Sequence, residues 1–144
     1  IVYLDLDNIV KNTKAGKSII NKLKVSKDSA LKKFEQKEKE LKKAEEDINK
    51  QKNVLSKEEL KNKISDFRKE IASFRNDREK LIKDFNTKKI QEFDKFFKKI
   101  TPIIGEYVAE KKIDIVLKKK DIFLANKNND ITNEIIKLID EKIK

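Results

Sequence analysis

"IDIVLKKKDIFLAN" (residues 113–126) breaks with everything before it. For roughly a hundred residues ahead of it the sequence reads as charged helix. Here β-branched and aromatic residues stand on either side of a basic turn. Ile113, Ile115 and Leu117 share one face of an extended segment, and Ile122 and Leu124 do the same after "KKKD". The stretch therefore predicts a strand pair over about 113–117 and 122–125. Val116 and Phe123 are apolar on the opposite face, so such a sheet wants cover on both sides. A third strand stands at the other end of the chain. "IVYLDLD" (1–7) alternates, with Val2, Leu4 and Leu6 facing one way and Tyr3, Asp5 and Asp7 the other. That period of two predicts a strand over about 1–6.

Between the strands lies a helical hairpin. "NIVKNTKAGKS" (8–18) reads as a short helical turn interrupted at Gly16, and a long helix begins near Ser18. Phe34, Leu41, Ile48 and Leu55 recur every seven residues, with Ile20, Leu23, Ala30, Leu31 and Ala44 on the same side. "NVLSKEEL" (53–60) interrupts the rod. Ser56 followed by Glu59 is a capping box, in which the hydroxyl takes the amide at Glu59 and the carboxylate takes the amide at Ser56. One helix thus stops near Val54 and another starts at Lys57, and the short link makes them antiparallel. The second helix carries Leu60, Ile64, Phe67, Ile71, Phe74, Arg78, Leu81 and Phe85 at four-three spacing, a heptad seam with one basic interruption. The spacing slips by one position to Phe93, then resumes through Phe96, Ile100, Ile104 and Tyr107. Pro102 in this stretch predicts a kink or a restart.

At about 1.5 Å per residue the first helix spans roughly 55 Å and the second roughly 80 Å. The later turns of the second helix must therefore pack against the chain ends. "NKNND" (126–130) leads into a last helix over about 131–143, with Asp130 or Thr132 as its N-cap and Ile131, Ile135, Leu138, Ile139 and Ile143 on its apolar side. The fold class is α+β, mostly α: a long antiparallel hairpin, 18–95 with its tip near 54–57, projecting from a small β-body of residues 1–17 and 96–144. A body of that size without disulfide or metal calls for oligomerisation. Val2, Leu4, Ile113, Ile115, Val116, Leu117, Ile122, Phe123 and Leu124 are the candidate residues of such an assembly; the competing reading is a closed monomeric core.

Composition sets the outer limits. The 144 residues carry a net charge of +11, and 44% are charged, against two Gly and one Pro. Most of the excess lies on the helices, +4 over residues 18–55 and +5 over 56–112. His and Cys are absent, which removes the usual general base, thiolate chemistry and the commonest zinc ligands. With only Gly16 and Gly105, far apart, no nucleotide loop can be built. The chain is therefore read as a non-enzyme with no cofactor. No apolar run approaches the 18 residues of a membrane span. The chain starts at Ile1 without Met, so any signal peptide is expected to have been removed.

The order of these parts resembles the OmpH/Skp family of periplasmic chaperones over the whole chain. "EYVAEKKIDIVL" (106–117), within "KKITPIIGEYVAEKKIDIVL" (98–117), is similar to the family's helix end running into its strand. "DIT" (130–132) is similar to its approach to the last helix. The turn "KKKD" departs from the family in lacking small or Asn-type residues. The resemblance implies a homotrimer with three helical tentacles around a cavity. Such a protein would hold unfolded outer-membrane β-barrel proteins in the periplasm without ATP. It also leaves room for an anionic lipid or lipopolysaccharide as a partner. Candidate client-binding residues on the hairpin are Phe34, Phe67, Phe74, Phe85, Arg68, Arg75 and Arg78; the bland reading packs the Phe rings into the seam. Pro102 is a candidate hinge, with a static kink as its alternative. A basic coiled coil that binds nucleic acid, or a structural scaffold, is the other class, though interleaved acidic residues weaken a phosphate track and nucleic acid needs no sheet.

Overall fold

The computed structural model describes residues 1–144 throughout. The chain divides into two compact units, Ile1–Lys24 with Lys89–Lys144, and Val25–Lys88.

In the first unit, strand β1 (Val2–Leu4) leads into helix α1 (Leu6–Asn12). Asp5 starts that helix: its Oδ1 accepts the Asn8 amide at 3.0 Å, which satisfies a donor the first turn would leave open. Helix α2 begins at Lys14, so the break falls at Thr13 and not at the expected Gly16. Thr13 closes α1, its amide donating to the Ile9 carbonyl at 3.0 Å. It also opens α2, its Oγ1 accepting the Gly16 amide at 3.1 Å. Asp140 accepts the Lys14 amide at 2.8 Å, a second cap supplied from the far end of the chain. Gly16 is a matter of space: a Cβ there would lie 2.0 Å from the Val10 carbonyl oxygen. Its φ is not positive, so backbone freedom is not the reason.

The core of this unit is helical. Leu4, Ile9, Val10, Phe96, Ile100, Ile103, Ile131, Ile135 and Ile139 form one buried cluster. They come from β1, α1, the later turns of helix α3 (Lys57–Glu110), and helix α4 (Thr132–Lys142) with the residue before it. Both short helices place apolar residues three and four apart, which turns one stripe inward.

The sheet differs from the expected one. Strand β2 is Val116–Lys118, and it pairs parallel with β1 in the register Val2↔Val116, Tyr3↔Leu117, Leu4↔Lys118. The expected hairpin partner over 122–125 is not a strand. Lys119–Asp121 form a 3₁₀ turn closed by the Ile122 amide on the Lys119 carbonyl at 3.1 Å. A two-residue hairpin turn favours Gly or Asn at positive φ, and "KKKD" has neither. The other side of β1 is taken by the segment before α4: Tyr3 bridges Asp130, and its carbonyl accepts the Ile131 amide at 3.0 Å. The N-cap position of α4 is therefore Ile131, not Asp130 or Thr132. Asp130 still serves the helix end, accepting the Thr132 amide at 3.0 Å.

Asp5 also ties the two strands together, because Lys119 Nζ donates to its Oδ2 at 3.0 Å. Its pKa is lowered, first by the Asn8 amide and then by the Lys119 ammonium. A carboxyl depressed on folding stabilises the fold above its ordinary value of 3.8 and loses that contribution as pH falls through the lower folded-state value. Asp5→Asn is therefore expected to be less stable than the native chain at neutral pH, with the gap closing in acid. Urea titrations at pH 7 and near pH 2 check this; a gap unchanged at pH 2 would exclude the carboxylate charge as its source.

Helix α3 runs unbroken through Pro102, so the expected restart does not occur. Proline removes one amide from the ladder, but Pro102 is exposed, and water can satisfy the carbonyl it leaves open. The helix ends in a Schellman motif: the Ile113 amide reaches the Val108 carbonyl at 2.9 Å and the Lys112 amide the Ala109 carbonyl at 3.2 Å. Lys112 sits at the left-handed position, φ 52°, where a side chain costs about 1–2 kcal/mol. Lys112→Gly is expected to raise stability by about 1 kcal/mol, seen as a higher urea midpoint at unchanged slope.

The second unit is the hairpin made by α2 (Lys14–Gln51) from Val25 onward and by α3 as far as Lys88. Both bonds of the capping box form, Glu59 N–H to Ser56 Oγ at 3.2 Å and Ser56 N–H to Glu59 Oε2 at 3.3 Å. The link is longer than expected, since α2 ends at Gln51 rather than near Val54. Lys63 Nζ donates to Gln51 Oε1 close to the turn. The helices meet through large side chains: the Phe34 and Phe74 rings stand edge to face at 5.7 Å and 79°, and Leu41 is buried.

Candidate functional site

The chain holds no cluster of three or more Asp and Glu that could bind a metal, and no buried side-chain polar atom lacks a partner. Its chemistry therefore lies in where apolar and basic side chains are left on the surface.

On the hairpin, Phe34, Phe67, Phe74 and Phe85 are all half-buried, while Arg68, Arg75 and Arg78 are exposed. The Phe34 and Phe74 rings pack on each other across the seam, and all four rings keep part of their surface in solvent. Three of the seven residues come together. Phe34, Arg78 and Phe85 line one open groove of about 570 Å³ between α2 and α3. Phe74 lies beside Phe34 in a shallower recess with Glu70 and Asp77. Arg68 lies along one face of α3 with Lys57, Lys61 and Lys69.

Sequence reasoning missed half of that groove. Their spacing puts Leu31 and Leu81 on the seam, yet they are 48% and 38% exposed. Ile82, outside the heptad positions, is 52% exposed. The groove exists because Ser26, Ser29 and Ala30 put no bulk on the α2 side. The sequence carries part of the signal: between Leu23 and Phe34 the only apolar side chains larger than alanine are Val25 and Leu31. A seam that lacks bulk on one helix and keeps Leu and Phe on the other cannot close.

The body carries a second apolar surface. Ile115 and Leu117 are about half exposed, and Phe123 and Leu124 stand almost wholly in solvent. Val2, Ile113, Val116 and Ile122 are half-buried. Leu4, also a candidate for contact between chains, is instead buried in the chain's own core, 4% exposed. Residues 122–125 leave their backbone amides and carbonyls without a ladder. Large apolar side chains grouped in solvent are a usual mark of an interface. A small basic recess lies next to it, where Lys118, Lys119 and Lys120 meet Asp5, Asp7 and Phe97. Pro102 lines none of these surfaces. No helix of the chain is long and apolar enough to cross a membrane.

Residues 1–139 match the family described as outer membrane protein (OmpH-like). Comparison with curated protein sequences returned no match. Among solved structures, a candidate outer membrane chaperone (OmpH-like) from Caulobacter crescentus superposes with a TM-score of 0.91. The alignment covers 99% of this chain and 85% of that one at 15% identity, so the likeness is one of fold.

Proposed function

The chain belongs to the OmpH-like outer membrane protein family, and from that premise we propose that it is an ATP-independent holdase for unfolded outer-membrane proteins in the periplasm. The observation that carries this reading is the open apolar groove of the hairpin, set in a helix pair that is otherwise charged. An unfolded chain offers no fixed shape, so it is held by many weak contacts: exposed apolar edges for its side chains and mobile Lys and Arg for its charge. Residues 18–112 supply both, with an excess of nine positive charges over negative ones.

The working unit is a homotrimer. Its support is Ile115, Leu117, Phe123 and Leu124, exposed beside a segment that pairs with no strand of its own chain. Three hairpins then enclose a client, and Pro102 serves as a hinge in α3.

Urea-unfolded outer-membrane β-barrel protein is diluted into buffer at moderate salt, without ATP, and light scattering is followed. The expected result is suppression near one client per three chains. Aggregation equal to that of the client alone would exclude the reading. Sedimentation of the native chain and of Leu117→Asp/Phe123→Asp tests the assembly: a trimer and a monomer are expected, and a native monomer would exclude the trimer.

A further inference from the structure

The groove at Phe34 and Phe85 has a more specific chemistry than a general apolar edge. Its floor is apolar, with Leu31, Leu81 and Ile82 left open to solvent. Its rim is basic: Lys27, Lys33, Arg78 and Lys88 surround it, against the single carboxylate of Asp84. None of these four cations is ion-paired within the chain. We propose that this groove docks a short extended segment of an unfolded polypeptide that sets apolar residues beside acidic ones, one segment on each hairpin. The proposal rests on the holdase reading and adds to it what a single hairpin recognises before, or without, enclosure by three.

Charge complementarity chooses the acidic residues. A rim carrying a net positive charge and no internal partners gains from each carboxylate brought to it, more so as the apolar part of the segment displaces water. Dimensions choose the length. The walls run over residues 26–34 and 78–88, about 12 and 15 Å of helix at 1.5 Å per residue. At about 3.3 Å per residue that accepts four or five residues of extended chain. The polar lining chooses a polypeptide over an anionic amphiphile. The Ser29 hydroxyl and the Asn86 amide also line the groove, where they can bond a peptide main chain; an acyl chain has no group to bond them.

The test uses the full chain and fluorescein-labelled nine-residue peptides of alternating apolar residues with Glu, Gln or Lys, read by fluorescence anisotropy. The Glu peptide is expected to bind at least ten-fold more tightly than the Lys peptide at low salt, with the difference shrinking as salt rises. Leu31→Ser/Ile82→Ser, both at exposed positions, is expected to weaken the Glu peptide about ten-fold without moving the thermal melt. Lys33→Glu/Arg78→Glu is expected to turn the preference toward the Lys peptide, a gain that misfolding cannot produce. Equal binding of the Glu and Lys peptides, no effect of either variant, or displacement of all binding by dodecyl phosphate at sub-micellar concentration would overturn the proposal. Scattering assays on the same proteins separate it from the holdase reading. Groove-dependent peptide binding without suppression of aggregation removes the holdase alone. Suppression with groove-independent peptide binding removes this proposal alone.

Discussion

Gly16→Ala is expected to lower the stability of the fold by about 3 kcal/mol or more, at the upper end of what overpacking costs. The added Cβ would fall 2.0 Å from the Val10 carbonyl oxygen and 2.7 Å from its carbon. Both are backbone atoms, and α1 cannot withdraw from them cheaply. Asp5 holds its start, Thr13 holds its end, and Ile9 and Val10 are locked in the core. Relief would have to separate α1 from α2, opening the Thr13 cap and the Asp140 bond to Lys14. Gly105→Ala is the internal comparison. A Cβ at Gly105 meets nothing within 4 Å, and the residue sits inside a continuous helix. There the substitution is expected to stabilise by about 0.5–1 kcal/mol, because alanine loses less backbone entropy. Urea midpoints of the two variants should move in opposite directions. Movement in the same direction would mean that the α1–α2 contact yields more easily than its caps imply.

Ile135→Ala is expected to cost about 3–4 kcal/mol, the range for truncating a buried isoleucine where the cavity cannot collapse. Ile135 is fully buried, and so are Ile9, Ile100 and Ile139 in the same cluster. These neighbours belong to elements capped at their ends, so none is free to swing inward. Small domains have only about 5–15 kcal/mol in hand, so the variant should give up a large share of the body's stability. The loss is read from the urea midpoint, with hydrogen exchange of Ile9 and Ile100 showing where the fold opens. A cost below about 1 kcal/mol would indicate that the cavity refills. Truncating Ile82, half exposed on the hairpin, should by contrast leave stability within about 0.5 kcal/mol.

Much of this molecule was legible in its sequence because it is built from local signals. The capping box at Ser56 and Glu59 needs only residues three apart, and both of its bonds form as read. The seven-residue recurrence from Phe34 and the four-three spacing from Leu60 place the hairpin and bring Phe34 against Phe74. The apolar stripe of the last helix needs only its own periodicity, and Ile135 and Ile139 are buried accordingly. With the chain's order of parts, these were enough for the mostly helical fold and for the family.

What escaped was decided by contacts between residues far apart. Proximity in sequence makes residues 113–125 look like a hairpin, yet Val116–Lys118 finds its partner at Val2–Leu4 and leaves 122–125 unpaired. Glycine interrupts helices and so points to a break at Gly16, whereas the break lies at Thr13, and Gly16 lets the Val10 carbonyl come close. The groove of Leu31, Leu81 and Ile82 is a property of two helices together: each sequence looks like an ordinary seam until one side's missing bulk meets the other side's rings. Periodicity and caps are governed by interactions within a turn or two of helix, so the chain alone determines them. Strand partner, close approach and open groove depend on which surfaces the folded backbone brings together, and only the tertiary structure decides that.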